Sequence, residues 1–166
     1  MKKNNQDSGS VITWIIVCIT IVVIAVIGVL AYINSPESKT NRELVISCTT
    51  DMATQFHIHP HLEITINGQK QEIPAEIGID SGCMHSIHTH DVSGTIHVES
   101  PEKRDFTLDD FFFLWKKKFS KDQILDFKAD EKHIIVEKIN GTVVQDYENT
   151  ILRDKDEIVI SYEEKK

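Results

Sequence analysis

Residues 11 to 33, "VITWIIVCITIVVIAVIGVLAYI", run for 23 positions without a charged side chain. About 20 apolar residues in helical form cross the hydrocarbon core of a bilayer, and a helix without a polar face has no wet side to offer a globular fold. The run therefore reads as a transmembrane anchor rather than a core helix. A secretory signal peptide competes, since Lys2 and Lys3 form a basic start, but such a peptide has a shorter apolar region that ends in a small-residue cleavage site. "GVLAYINSPES" offers no convincing one. The expected organisation is a cytoplasmic tail at 1–10, an anchor at 11–33, a polar linker at 34–44, "NSPESKTNREL", and an outer domain at 45–166.

Lys2 and Lys3 on one flank face Lys39 and Arg42 on the other, so the basic-residue rule gives little direction. The short tail and its free amine favour an N-terminus inside, with the domain outside the cytoplasm at the cell membrane. The formal charge of −8 argues against nucleic acid as a partner.

Within the outer domain, "HLEITINGQKQEIPA" alternates Leu62, Ile64 and Ile66 before Asn67-Gly68, the signature of a β-hairpin with a type I′ turn. "HIIVEKINGTVVQDY" repeats the device at Asn140-Gly141. Between them "FTLDDFFFLWKKKF" predicts one helix, with Thr107 as N-cap, Asp110 in the capping-box place and Phe106 stapling on Phe111. Its apolar stripe, Leu108, Phe111, Phe112, Trp115 and Phe119, is core packing in this reading. "DEIVISYEE" closes the domain as a strand alternating at Ile158, Ile160 and Tyr162. The fold class expected is α+β, a mainly antiparallel, β-grasp-like sheet with one main helix on one face.

The chain has eight histidines, and seven lie in two segments, "HIHPHL" at 57–62 and "HSIHTHDVSGTIH" at 85–97. Clustered imidazoles repel once protonated and need partners when buried, so a compensating group is expected. A metal ion suits the chemistry. On an extended segment His57, His59 and His61 share one face, and His88 and His90 share another. A tight turn at Ser93-Gly94 sets His90 opposite His97 and His88 opposite Glu99, close enough for two rings to reach one ion. Imidazole nitrogen favours copper or zinc over calcium or magnesium.

Asp91 and Glu99 are either direct ligands or acceptors that orient a ring, and Cys83 with Met84 offers soft ligands that tip the choice toward cuprous copper. Cys83 alternatively pairs with Cys48 in a disulfide, which no spacing rule decides. His133, alone at a strand start, reads as structural. Against the metal stands a solvated histidine-rich surface or a pH sensor.

At "HIHPHLEITINGQKQEIPAEIGI", "CMHSIHTHDVSGTIHVESP" and "FTLDDFFFLW" the chain resembles a family of uncharacterised, membrane-anchored or secreted bacterial and archaeal proteins. The shared pattern spans residues 57 to 115, with a looser match at the second Asn-Gly hairpin. The resemblance implies one outer domain and one site at His57, His59, His61, Cys83, His88, His90, Asp91, His97 and Glu99. His85 falls outside the pattern, and the family implies no activity.

Three functions remain in view. The first is a membrane-tethered, extracytoplasmic protein that binds copper or zinc. The second is a metalloenzyme with an open position on the same ion and Asp91 or Glu99 as general base, although no catalytic motif such as His-Glu-x-x-His is present. The third is a metal-free interaction subunit of a membrane complex.

Overall fold

Asn67 and Gly68 have φ of 49° and 79°, and Asn140 and Gly141 have φ of 51° and 81°. Paired positive φ values define type I′ turns, which match the twist of the strands they join. These turns close the two hairpins of the main sheet in the computed structural model, which describes residues 8–33, 39–48 and 55–165.

With strands numbered along the chain, the main sheet runs β12 (Thr142–Val144), β11 (His133–Ile139), β13 (Glu157–Glu164), β2 (His61–Ile66) and β3 (Gln69–Gln71). The two hairpins pair antiparallel, but β13 lies parallel to β2, with Ile158 beside Leu62, Ile160 beside Ile64 and Tyr162 beside Ile66. A last strand inserted between two hairpins, parallel to the first, is the β-grasp order. The matching alternation on β2 and β13 explains the pairing: Leu62, Ile64, Ile158 and Ile160 are all fully buried. Each such side chain contributes about 1.5–3 kcal/mol relative to exposure.

Helix α3 (Leu108–Trp115) starts where the sequence predicts, with the Thr107 N–H donating to Asp110 Oδ2 at 3.1 Å. It ends earlier than the aromatic stripe suggests. Lys116 takes φ 57°, and Lys116 and Lys117 donate backbone N–H to Phe113 and Phe112 carbonyls, a left-handed stop that releases the chain. Phe119 is therefore not a helical residue. It sits on β8 (Phe119–Ser120), buried, with its ring 4.9 Å from that of Phe112, so it joins the core from a different element. Phe106, Leu108, Phe111 and Phe112 belong to the same buried cluster as Ile64 and Ile160. β8 continues into β9 (Gln123–Ile124) and β10 (Phe127–Lys128), a small meander.

Two further elements lie ahead of the sheet. Helix α1 (Ser8–Ile33) contains a 22-residue span, Ile12–Ile33, long and apolar enough to cross a membrane, with its side chains exposed. Helix α2 (Asn41–Ile46) begins at a capping box between Thr40 and Glu43 and buries Leu44 and Val45. Residues 41–44, read as linker from their polarity, are thus helical and belong with the compact unit Lys39–Lys166. The capping bonds from Thr40 hold the Glu43 carboxyl below its ordinary range.

Cys48 and Cys83 form a disulfide, which removes Cys83 from the candidate metal ligands. Cys83 lies on β5 (Cys83–Met84), paired with β4 (Ile79–Asp80) in a short ribbon.

A histidine cluster as candidate metal centre

A second, three-stranded sheet carries His57, His88 and His97. Its order is β1 (Phe56–Ile58), β7 (His97–Ser100) and β6 (Ile87–His88), with β7 in the middle. The register pairs His57 with Glu99 on one side and His88 with His97 on the other. A two-residue turn at Ser93-Gly94 would instead set His90 against His97 and His88 against Glu99. The loop between β6 and β7 is longer than a two-residue turn, so the pairing slips by two positions. An even slip keeps every side chain on its face, and the histidines still converge.

Two three-histidine sets result, His57 with His59 and His97, and His88 with His90 and His97. In each, one ligand atom per residue lies within 4.8 Å of the others. His97 is common to both. Its ring centroid is 4.7 Å from that of His59, 4.6 Å from His90, 5.4 Å from His88 and 6.2 Å from His57.

The geometry around His88 selects a tautomer. His88 Nδ1 lies 2.9 Å from the His85 carbonyl, which can only accept, so Nδ1 carries the proton and Nε2 presents its lone pair. Nε2 lies 3.2 Å from His90 Nε2. Two nitrogens bound to one tetrahedral zinc at about 2.0–2.1 Å stand about 3.3 Å apart, so the pair is already at coordination spacing. His57 is oriented in the complementary way. Its Nε2 donates to Glu99 Oε1 at 3.1 Å, leaving Nδ1 free.

Burial favours neutral rings. The His97 imidazole is pushed down from 6.5 to about 4 by desolvation first, then by the neighbouring His90, His59 and His88 rings. Fully buried His88 is also lowered, again chiefly by desolvation. Both keep the unprotonated form that binds metal at neutral pH. Glu99 is 6% exposed, and its Oε2 has no hydrogen-bond partner among the described residues. A buried carboxylate oxygen without a donor carries a desolvation penalty that a nearby cation would offset.

Several predicted ligands lie elsewhere. His61 does not share a face with His57 and His59, because β1 ends at Ile58 and Pro60, which has no N–H for a sheet ladder, separates it from β2. His61 belongs to the main sheet, with Nδ1 3.0 Å from Glu157 Oε2 and Nε2 3.0 Å from the Ser93 carbonyl, so both nitrogens face acceptors. Asp91 accepts the Ser93 N–H at 2.8 Å, and the Ser93 hydroxyl first, then this N–H, hold its carboxyl below the ordinary range; it stands outside both sets. Glu99 is the ring-orienting acceptor rather than a member of a set. His85 contacts Ser47, Asp80 and Cys83, and His133 stacks on Tyr162 and bonds to Asp130.

Two supporting residues escaped the sequence argument. Asp154 accepts the His59 backbone N–H at 3.0 Å across 95 residues, and the His85 carbonyl orients His88. No local pattern announces the first. The second follows only once β6 is known to curl so that a ring reaches back three residues.

No protein-family model, no curated protein and no solved structure matches this chain.

Proposed function

We propose that the protein is a membrane-tethered, extracytoplasmic metal-binding protein that takes copper or zinc at His57, His59, His88, His90 and His97. The observation that carries this reading is the pair of Nε2 atoms of His88 and His90, 3.2 Å apart, with the His88 lone pair directed there by the His85 carbonyl. In the metal-free protein a His90 Nε2–H can donate to the His88 lone pair; loss of that proton on metal binding leaves two lone pairs at coordination spacing, and the orphaned Glu99 oxygen nearby favours a cation in the same place. The Cys48–Cys83 disulfide supports an oxidising compartment outside the cytoplasm, and the Ile12–Ile33 helix supplies the tether.

Metal analysis of the full-length chain, purified in detergent without chelator, tests the proposal. Stoichiometric copper or zinc, reduced when His88→Ala is combined with His90→Ala, supports it. Substoichiometric metal unaffected by that substitution favours a metal-free interaction subunit. A metalloenzyme is the second reading, because three imidazoles leave a position for water on a four-coordinate ion. Exchangeable water on the bound ion separates it from a closed carrier site.

A further inference from the structure

We infer that the histidine centre holds two ions side by side, with the His97 ring between them as a shared ligand. This extends the metal-binding reading above and rests on it.

The placement of His97 carries the argument. It lies on the middle strand of the three-stranded sheet, with His57 and His59 on the β1 side and His88 and His90 on the β6 side. Within each side the rings are close: 4.4 Å between His57 and His59, and 4.7 Å between His88 and His90. His97 is the ring that completes both sets. Once its ring proton is lost, the ring is an imidazolate with a lone pair on each nitrogen, pointing in different directions, so one ring can serve two ions. A single four-coordinate ion would leave at least one of the five imidazoles unused.

Each side also has its own orienting acceptor. Glu99 accepts a hydrogen bond from the His57 Nε2–H, and the His85 carbonyl accepts one from the His88 Nδ1–H. Two independently oriented shells are what two ions require. His97 must then give lone pairs from both nitrogens, so its ring proton leaves to solvent as the second ion binds. The buried Glu99 carboxylate adds negative charge beside the pair.

Titration of the chelator-stripped full-length chain in detergent with Cu2+ tests the inference, with bound metal counted by mass spectrometry and electron spin resonance recorded at each addition. Two bound ions per chain, with the spin signal rising at the first and collapsing at the second, is the expected result, because copper ions joined through one imidazole couple antiferromagnetically. His57→Ala with His59→Ala, at side chains 45% and 42% exposed, should keep the fold, bind one ion and show its full signal. One ion in the unaltered protein with full signal overturns the two-ion centre and leaves metal binding intact. Two ions with additive signals overturn the shared ring. No bound ion removes both proposals.

Discussion

Gly78 bears on the site without touching a metal. Its φ is +72°, and a Cβ placed there would lie 2.2 Å from the Ile87 carbonyl oxygen and 3.3 Å from both Cα and Cβ of His88. The glycine lets the preceding loop rest directly on the strand that carries His88. Gly68 has the same backbone hand, φ +79°, but nothing lies within 4 Å of its missing Cβ. Gly68→Ala should therefore cost only the left-handed penalty, about 1–2 kcal/mol. Gly78→Ala adds a backbone clash that a rotamer change cannot relieve, about 1–3 kcal/mol of overpacking. It also strains the bonds from His85 N–H to the Gly78 carbonyl at 2.8 Å and from Thr89 N–H to the Ile77 carbonyl at 3.0 Å, about 1 kcal/mol each. The total for Gly78→Ala is about 4–7 kcal/mol. Urea unfolding of the compact unit, residues 39–166, measures both variants against the unsubstituted domain. Metal affinity should also fall for Gly78→Ala and not for Gly68→Ala, because relief of the clash moves His88 away from His90. Equal stability losses at the two glycines, with equal affinities, would refute the reasoning.

Three further expectations follow from the same contacts. In the metal-free domain, His97 is held neutral in the fold, so its contribution to stability is complete above pH 6.5 and is lost as pH falls toward 4. The full shift would be worth about 3 kcal/mol, which partial exposure reduces to about 1–2 kcal/mol; unfolding midpoints from pH 7 to pH 4 should drop, and His97→Gln should flatten the profile. Thr150→Val removes the hydroxyl that donates to buried Glu137 at 2.6 Å and leaves that carboxylate with the Tyr147 N–H, so urea unfolding at pH 7 should show a loss of about 1–3 kcal/mol. Replacing both Cys48 and Cys83 by serine opens a crosslink spanning 35 residues and should lower stability by about 4 kcal/mol, read as a drop in urea midpoint that reductant reproduces in the unsubstituted domain.

Which parts of the molecule were legible in its sequence depends on the reach of the forces involved. Asn67-Gly68, Asn140-Gly141 and the Thr107 cap act over a few residues, and each stands where its local chemistry puts it. The early end of α3 was hidden because Lys116 adopts a left-handed conformation that lysine does not advertise. Parallel pairing of β13 with β2 joins strands about 95 residues apart and follows from their matched apolar faces, which alternation reveals and topology alone decides. In the site, period-two spacing found the histidines that converge, because parity survives a slip of two residues. It failed at His61, where Pro60 ends one sheet and the next begins. The destination of Cys83 depends on a distance in space, and no spacing in "CMHSIHTH" encodes it.

X-ray absorption at the metal edge of the loaded full-length protein addresses the central claim most directly. The account predicts a first shell of nitrogen at about 2.0–2.1 Å with the outer-shell scattering of about three imidazole rings per ion, and less bound metal when His88 and His90 are replaced by alanine. A first shell of oxygen without imidazole scattering, unchanged in that variant, would contradict it.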